Sequence, residues 1–355
     1  AGSSNRRIMD LKQISLVLFL VLCLCRPLLA GDTTEAVVFA YHRFGDARYP
    51  STNISLQQFR QHLQLLQNQQ ANVMPLGRLV AALDAGKPLP PRSVALTVDD
   101  AYQSFESGAL PLLKEYGYPA TLFVSTDAVG GKDYLDWNQL RQLQEAGIEI
   151  GSHSASHDYL LDRLPGESQQ VWVERVMSDL RRAEAAFQRE LGQNPELFAF
   201  PYGEFDPQLC KLVEESGYRA AFGQQSGVIS SSSDLFSLPR FPVAGAYAEL
   251  RGFESKLAMK ALPVTVLTPE ETIVPHVQNP PLLKVRIDMS DINPQSLKCY
   301  VSGQGEVEVE TKGEGLFEIQ AQSPLRGRRS KYTITASDPS GAHWYWFSKL
   351  WVVDE

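Results

Sequence analysis

The chain is short of cysteine. Four of its 355 residues are Cys, and two of these, Cys23 and Cys25, fall in an apolar N-terminal run without the small neighbours of a lipid-attachment box. The other two, Cys210 and Cys299, stand far apart. That excludes a disulfide framework and a cysteine-ligated metal site, and leaves both thiols as small buried hydrophobes. Positive charge is also short. With 33 Lys and Arg against 41 Asp and Glu, the net charge of -8 gives no basic footprint, so nucleic acid is not an expected partner. The N-terminal apolar run, Ile14–Cys25, is too brief for a comfortable membrane span. Arg6, Arg7 and Lys12 precede it and Leu28-Leu29-Ala30 follows, so residues 1–30 read as a secretion signal cut before Gly31. Met9 offers an alternative start, and an uncleaved anchor is the other reading of the segment. The expected location is outside the cytoplasm: periplasm, cell surface or medium. Histidine is scarce, with six residues, yet two of them share one pentapeptide.

What is present is an alternation. Strand-like runs at Val37–Tyr41, Val94–Val98, Thr121–Val124, Ile148–Ile150, Leu197–Phe200, Ala220–Phe222 and Phe241–Val243 are separated by segments of helical period. Ser55 caps a helix with Leu56, Phe59, Leu63 and Leu66 on one face, and His62, on this polar helix, is expected to face solvent. Gly117, Gly147, Gly192 and Gly217 stop later helices, and Ala246–Ala261 reads as a closing one. Strand and helix alternating at this spacing imply parallel strands covered by helices. An open doubly wound sheet and a distorted or partial (β/α) barrel both fit. The polar residues favour the barrel: His42, Asp99, Asp100, His153, His157 and Tyr202 each follow a strand, where barrels gather their chemistry. Residues 31–262 are therefore the expected catalytic domain. Five prolines punctuate 263–281, which reads as a linker. From Leu282 to Glu355 the pattern turns to short alternating strands, an antiparallel β-sandwich.

Thr97-Val-Asp-Asp100 and His153-Ser-Ala-Ser-His157 carry the chemistry. Two His and one carboxylate are a common catalytic set for zinc and related metals, leaving a position open for water. Asp99 and Asp100 are neighbours at a strand end and can serve different tasks, one on a metal and one taking a proton. Amide or ester hydrolysis follows as the reaction type. His42, on the same rim, is the candidate acid for a leaving amine. The Phe200-Pro201-Tyr202-Gly203 turn offers backbone N–H groups for an oxyanion. Arg240 is a candidate ion-pair partner of Asp99.

Taken together, Thr97-Val-Asp-Asp100, His153-Ser-Ala-Ser-His157 and Phe198-Ala-Phe-Pro-Tyr-Gly203 resemble the polysaccharide deacetylases, the NodB-homology domain of carbohydrate esterase family four. The resemblance runs from about Val37 to Val243. Tyr41-His42 resembles the branch with an early histidine, which includes biofilm poly-N-acetylglucosamine deacetylases. The resemblance implies metal-dependent removal of acetyl groups from an N-acetylated sugar polymer. By position, Asp99 matches the base, and Asp100, His153 and His157 match the ligands of one divalent metal. Zinc is the default, and nickel, cobalt or iron suit the same donors. His42 matches the acid, and Tyr202 the residue whose N–H holds the oxyanion, with Pro201 beside it. Three positions depart from the pattern: Ala101 replaces a Gly, Val98 a Phe, and Ala199 an Arg.

Blander roles stand beside these. Trp137 either stacks on a sugar ring as a substrate-binding residue or staples its helix. Trp344, Trp346 and Trp351 are core more readily than a sugar platform. The rivals to N-deacetylation are an O-acetyl polysaccharide esterase and an inactive carbohydrate-binding or assembly protein. The expected partners are an N-acetylated polysaccharide and, through the sandwich, cell-envelope or export components.

Overall fold

Ala36–Tyr41 is AVVFAY and is buried along its whole length. Ser93–Val98, SVALTV, is buried in the same way. Strands apolar on both faces belong in the middle of a parallel sheet covered by helices. The computed structural model, which describes residues 34–353, places them there. The strands run in the order Phe241–Pro242, Ala36–Tyr41, Ser93–Val98, Thr121–Val124, Glu149–Ser152, Leu197–Ala199, Ala220–Phe222, and Asn72–Val73 adds to Ser93–Val98. Every pairing in this sheet is parallel. The sheet curls into a half-barrel, as the positions of the polar residues indicated. The N-terminal segment read as a signal, with Cys23 and Cys25, lies outside the described residues.

Helix ends follow the caps in the sequence. Ser55 and Gln58 form a reciprocal capping box at the start of Leu56–Asn68, and Asp136 with Gln139 does the same for Trp137–Glu145. Each satisfies N–H groups that the first turn leaves unpaired. Gly192, in the left-handed region at φ 74°, ends the long Gln169–Leu191 helix. The sequence reading of Leu56–Asn68 needs one correction. Leu56 is exposed and His62 is buried, with no exposed surface. The ring of His62 stacks on Phe253 at 4.0 Å, accepts or donates at 3.2 Å with the Tyr41 hydroxyl, and lies 2.8 Å from the Ala248 carbonyl. Phe253 belongs to a short Leu250–Leu257 helix that covers this face; the helix is legible in the sequence, but where it docks is not. The closing helix is correspondingly shorter than expected: Met259–Ala261 is already a strand.

The proline-rich stretch 263–281 is not a free linker. Val264–Thr268 pairs antiparallel with Leu282–Ile287, and Ile273–Val274 pairs with the last strand, Trp344–Val353. Its prolines delimit these strands instead of preventing them. Two antiparallel sheets result. One runs Met259–Ala261, Trp344–Val353, Arg329–Ser337, Lys298–Val301, Gly305–Val307, and the other Val264–Thr268, Leu282–Ile287, Leu316–Gln320, Val309–Gly313. Between them lie Val285, Ile319, Ile334 and Trp351. The period of two in Trp344–Val353 explains how the sandwich joins the half-barrel. Trp351 points into the sandwich core, while Leu350 and Val352 pack with Trp172, Leu209 and Phe200 of the half-barrel.

Burial pulls the His62 pKa from 6.5 down to about 4, against a smaller opposing effect of the Ala248 carbonyl. The unfolded chain therefore binds this proton more readily than the folded one. The stability it confers is complete above about pH 6.5 and is lost as pH falls toward about 4, a change of about 3 kcal/mol. The urea midpoint should drop between neutral and acid pH, and drop less in His62→Gln, which cannot titrate. Equal drops in both proteins would assign the acid sensitivity elsewhere.

Candidate active site

The polar residues converge at the C-terminal ends of the parallel strands. Asp99 follows Ser93–Val98, and its N–H donates to the Tyr41 carbonyl at 2.9 Å, which fixes the first step past the strand. The chain then turns through two left-handed residues, Asp100 at φ 74° and Ala101 at φ 56°. This reversal sends the two carboxylates apart. Asp99 goes down among buried groups and Asp100 faces the cleft. Glycine is the residue that takes such a conformation freely, so the departure noted at Ala101 falls on a position with positive φ.

His153 follows Glu149–Ser152. Its Nδ1 lies 2.7 Å from the Ala199 carbonyl. Since a carbonyl accepts, Nδ1 carries the hydrogen, and the Nε2 lone pair is left facing Asp100 Oδ1 at 3.5 Å. His157 Nε2 lies 3.1 Å from the same oxygen. The donor atoms of Asp100, His153 and His157 all lie within 4.8 Å of one another. A carboxylate oxygen and an imidazole lone pair opposed in a buried site repel unless a cation or proton sits between them. Protonation does not serve at His153: burial pulls its pKa down to about 4, the nearby carboxylates opposing only in part. A divalent cation does, and one carboxylate with two imidazoles suits zinc and its neighbours. Burial also acts against the charged His157, but its hydrogen bond to Asp100 prevails and raises its pKa. Burial works against Asp100 as a carboxylate, yet the His157 hydrogen bond and the His42 and His153 charges hold its pKa far below the usual range.

Asp99 forms a two-pronged ion pair with Arg240, Nη1–Oδ1 2.7 Å and Nη2–Oδ2 2.9 Å, and neither side chain has exposed surface. The remaining guanidinium contacts go to the Gly223 carbonyl at 2.9 Å and Thr97 Oγ1 at 3.1 Å. Burial alone would raise the Asp99 pKa. The charge of Arg240, helped by His153 and His42, lowers it instead. His42 Nε2 is 3.9 Å from Asp99 Oδ2, beyond hydrogen-bond length.

His42, Asp100, His153, His157, Tyr202 and Arg329 are among the residues lining a cleft of about 690 Å³. Asp99 and Arg240 form the layer beneath. Tyr202 sits at φ 59° in the Pro201–Gly203 turn. Its ring stacks on Tyr159 at 3.9 Å and meets His157 edge-on at 4.6 Å. Pro201 is buried and opens the turn. Trp137 is not brought to the cleft. It shares a helix face with buried Leu140 and packs edge-on against Phe187 at 6.0 Å, so it staples its helix. Trp351 is core as expected, while Trp344 is exposed.

Three supporting residues escaped sequence reasoning. Gln224 donates to Asp99 Oδ2 at 3.3 Å. Arg329, from the C-terminal sheets, reaches the cleft wall. Asp179 lies on the buried face of the long helix, 6% exposed, and accepts the N–H of Ala155 at 2.9 Å and of Ser156 at 3.1 Å. It thereby holds the loop between the two histidines. An acid at a core-facing position of a helix was the available signal for it.

Residues 86–221 match the family model described as polysaccharide deacetylase. Over this segment the chain is similar to the polysaccharide deacetylases. The matched segment holds Asp99, Asp100, both loop histidines and Tyr202. The chain is 26% identical over 210 residues to the poly-β-1,6-N-acetyl-D-glucosamine N-deacetylase of Staphylococcus epidermidis, covering 56% of this chain and 71% of that protein. Among solved structures it is similar in fold to the Streptococcus pyogenes deacetylase PplD, with TM-score 0.57 and 18% identity over 63% of this chain and 99% of that one. IcaB from Ammonifex degensii gives 0.56 and 23%, over 64% and 97%.

Removing the Asp179 carboxylate strands two amide hydrogens in a buried loop, at a cost of about 1–3 kcal/mol each. Asp179→Ala should lower the unfolding free energy by at least about 2 kcal/mol, and Asp179→Asn, which keeps one acceptor, by roughly half as much. Urea titration of the three proteins tests this, and an alanine variant as stable as the parent would remove Asp179 from the scaffold.

Proposed function

We propose that the protein is a metal-dependent hydrolase that takes N-acetyl groups from N-acetylhexosamine units of a polysaccharide and releases acetate. The observation that carries this is the convergence of Asp100 Oδ1 and the imidazoles of His153 and His157 above a buried carboxylate. The Staphylococcus epidermidis relative, named for N-deacetylation of such a polymer, supports the substrate class. A divalent cation held by Asp100, His153 and His157 would polarise the acetamide carbonyl and acidify a water.

The remaining work falls to the chain's own groups. Asp99 takes the proton from the attacking water. Arg240 holds its carboxylate in one orientation and keeps it ionised. The Tyr202 N–H donates to the oxygen that gains negative charge, and the turn shaped by Pro201 keeps that donor in place before reaction. His42, at the cleft wall, gives a proton to the departing amine. The burial of Asp99 favours a second arrangement: Asp99 orients His42, and His42 alone exchanges protons with the cleft. The apolar Ile14–Cys25 run supports export to the periplasm, cell surface or medium. Among the described residues no helix is long and apolar enough to cross a membrane.

Acetate release from N-acetylglucosamine oligomers should stop with a chelator and return with zinc, nickel or cobalt. It should fall by about 10²–10⁴-fold in His42→Ala. If O-acetylated but not N-acetylated oligomers release acetate, the protein is an esterase. Asp99→Asn separates the two arrangements: a loss as deep as that in His42→Ala with the alkaline limb of the pH profile retained fits Asp99 as base, and a shifted limb fits Asp99 acting through His42.

Arg240→Ala should lose turnover and also about 3–5 kcal/mol of stability, because it leaves a buried carboxylate without its partner. Arg240→Lys keeps the charge but not the fork, so it should fold, bind metal as the parent does, and turn over more slowly. Unchanged kcat in Arg240→Lys would show that the fork does not position the base.

A further inference from the structure

The active-site cleft does not end at the half-barrel. Pro242 and Tyr247 line it and also line a second groove, of about 230 Å³, between the half-barrel and the C-terminal sheet. Lys256, Tyr300, Lys331 and Trp346 complete most of its wall. Tyr247 and Tyr300 are largely exposed, at 68% and 40%, as flat apolar faces beside an open groove. Both lysines are half-buried. The Lys331 ammonium donates to the Gln224 carbonyl at 3.3 Å, and that of Lys256 lies 5.4 Å from the centre of the Tyr247 ring. No carboxylate lines the groove, and among the described residues neither lysine is in an ion pair. Burial lowers the pKa of both, and burial together with the charges of Lys256 and Arg329 brings that of Lys331 to about 8. Arg329 lies two residues from Lys331 on the same strand, so it stands on the same side of the sheet, and it lines the adjoining cleft. Arg329 is paired with Glu204, so in a protein of net charge -8 the cations of the groove itself are Lys256 and Lys331.

Half-buried ammonium groups facing one another without an acid are costly, and an anionic ligand removes the cost. Two tyrosine faces in a groove with room for a single ring suit the apolar face of a sugar. We propose that this groove is a subsite for a carboxylate-bearing sugar adjoining the N-acetylhexosamine that is deacetylated, with Lys256 and Lys331 binding the carboxylate and Tyr247 and Tyr300 packing on the ring. The inference rests on the reading of the cleft as the seat of an N-acetylated polymer. It gives the C-terminal sheets a direct part in choosing that polymer, through Tyr300 and Lys331.

The test is a binding measurement, so it does not depend on turnover. Full-length Asp99→Asn protein is titrated with an oligosaccharide alternating N-acetylglucosamine and glucuronic acid, and with the same oligosaccharide after its carboxyl groups are reduced to alcohols. The acidic form should bind at least tenfold more tightly, and less so as salt rises. Adding Lys256→Met and Lys331→Met should erase the difference. Lys256→Met alone should reduce it without touching the Lys331 contact to Gln224. Equal binding of the two forms, or a preference that survives in the double variant, overturns the subsite. Acetate release by the metal-loaded parent protein is scored separately. If the acidic form binds preferentially but neither oligosaccharide loses acetate, the subsite stands and the deacetylase reading fails.

Discussion

The buried pair of Asp99 and Arg240 is the constraint on which the site depends. Two charges without exposed surface are a poor source of stability, since desolvating them consumes most of what their attraction returns. Their worth is positional. Asp99 ends a central strand, and Arg240 immediately precedes Phe241–Pro242, the edge strand beside Ala36–Tyr41. The fork, with its further contacts to Gly223 and Thr97, draws three strand ends to one point. His42 is the residue after the strand lying between them.

The second constraint joins the sandwich to the site. Glu204, 2% exposed, follows the turn that carries Tyr202. Arg328 grips it with Nε at 2.8 Å and Nη2 at 2.7 Å, and Arg329 adds Nη1 at 2.9 Å. Arg328 also lies 4.0 Å over the ring of Tyr159, which stacks on Tyr202. The turn assigned to the oxyanion is therefore held from the C-terminal side as well as by its own strand. A carboxylate this buried needs its cations, so the two halves of the described chain support each other. Treating 282–355 as a removable module would misjudge it.

The sequence made much of this legible, and the limits have physical causes. Strand-helix alternation and polar residues at strand ends are local patterns, so the half-barrel and the meeting of Asp100, His153 and His157 could be read from them. Asp99 with Arg240 was legible as a chemical need, though only the fold could supply the bidentate geometry. Trp137 had two meanings because a helix N-terminus faces cleft or core according to how the helix docks. His62 misled by residue type: it lies three residues after Phe59 and four before Leu66, on the buried side of its helix, but a histidine among glutamines reads as solvated. The prolines of 263–281 misled for a related reason. Proline forbids a central strand but tolerates strand ends and edges, and those are the places it occupies here. Asp179 and Glu204 were missed because each is defined by a distant partner.

The backbone itself accounts for the last feature of the site. Asp100, Ala101, Ser154, His157 and Tyr202 all lie at positive φ without being glycine, a conformation uncommon for such residues and costly when unsupported. They fall on three separate loops, each following a different parallel strand. Their strain is opposed by ties already present: Asp99 N–H on the Tyr41 carbonyl, Asp179 on the Ala155 and Ser156 amides, and His157 N–H on Ser154 Oγ at 3.0 Å. A relaxed version of these loops would let Asp100 and the two imidazoles swing apart into water, where each is better solvated. The ties instead hold both imidazole Nε2 atoms beside Asp100 Oδ1, at 3.5 and 3.1 Å, an arrangement the backbone sets before anything binds.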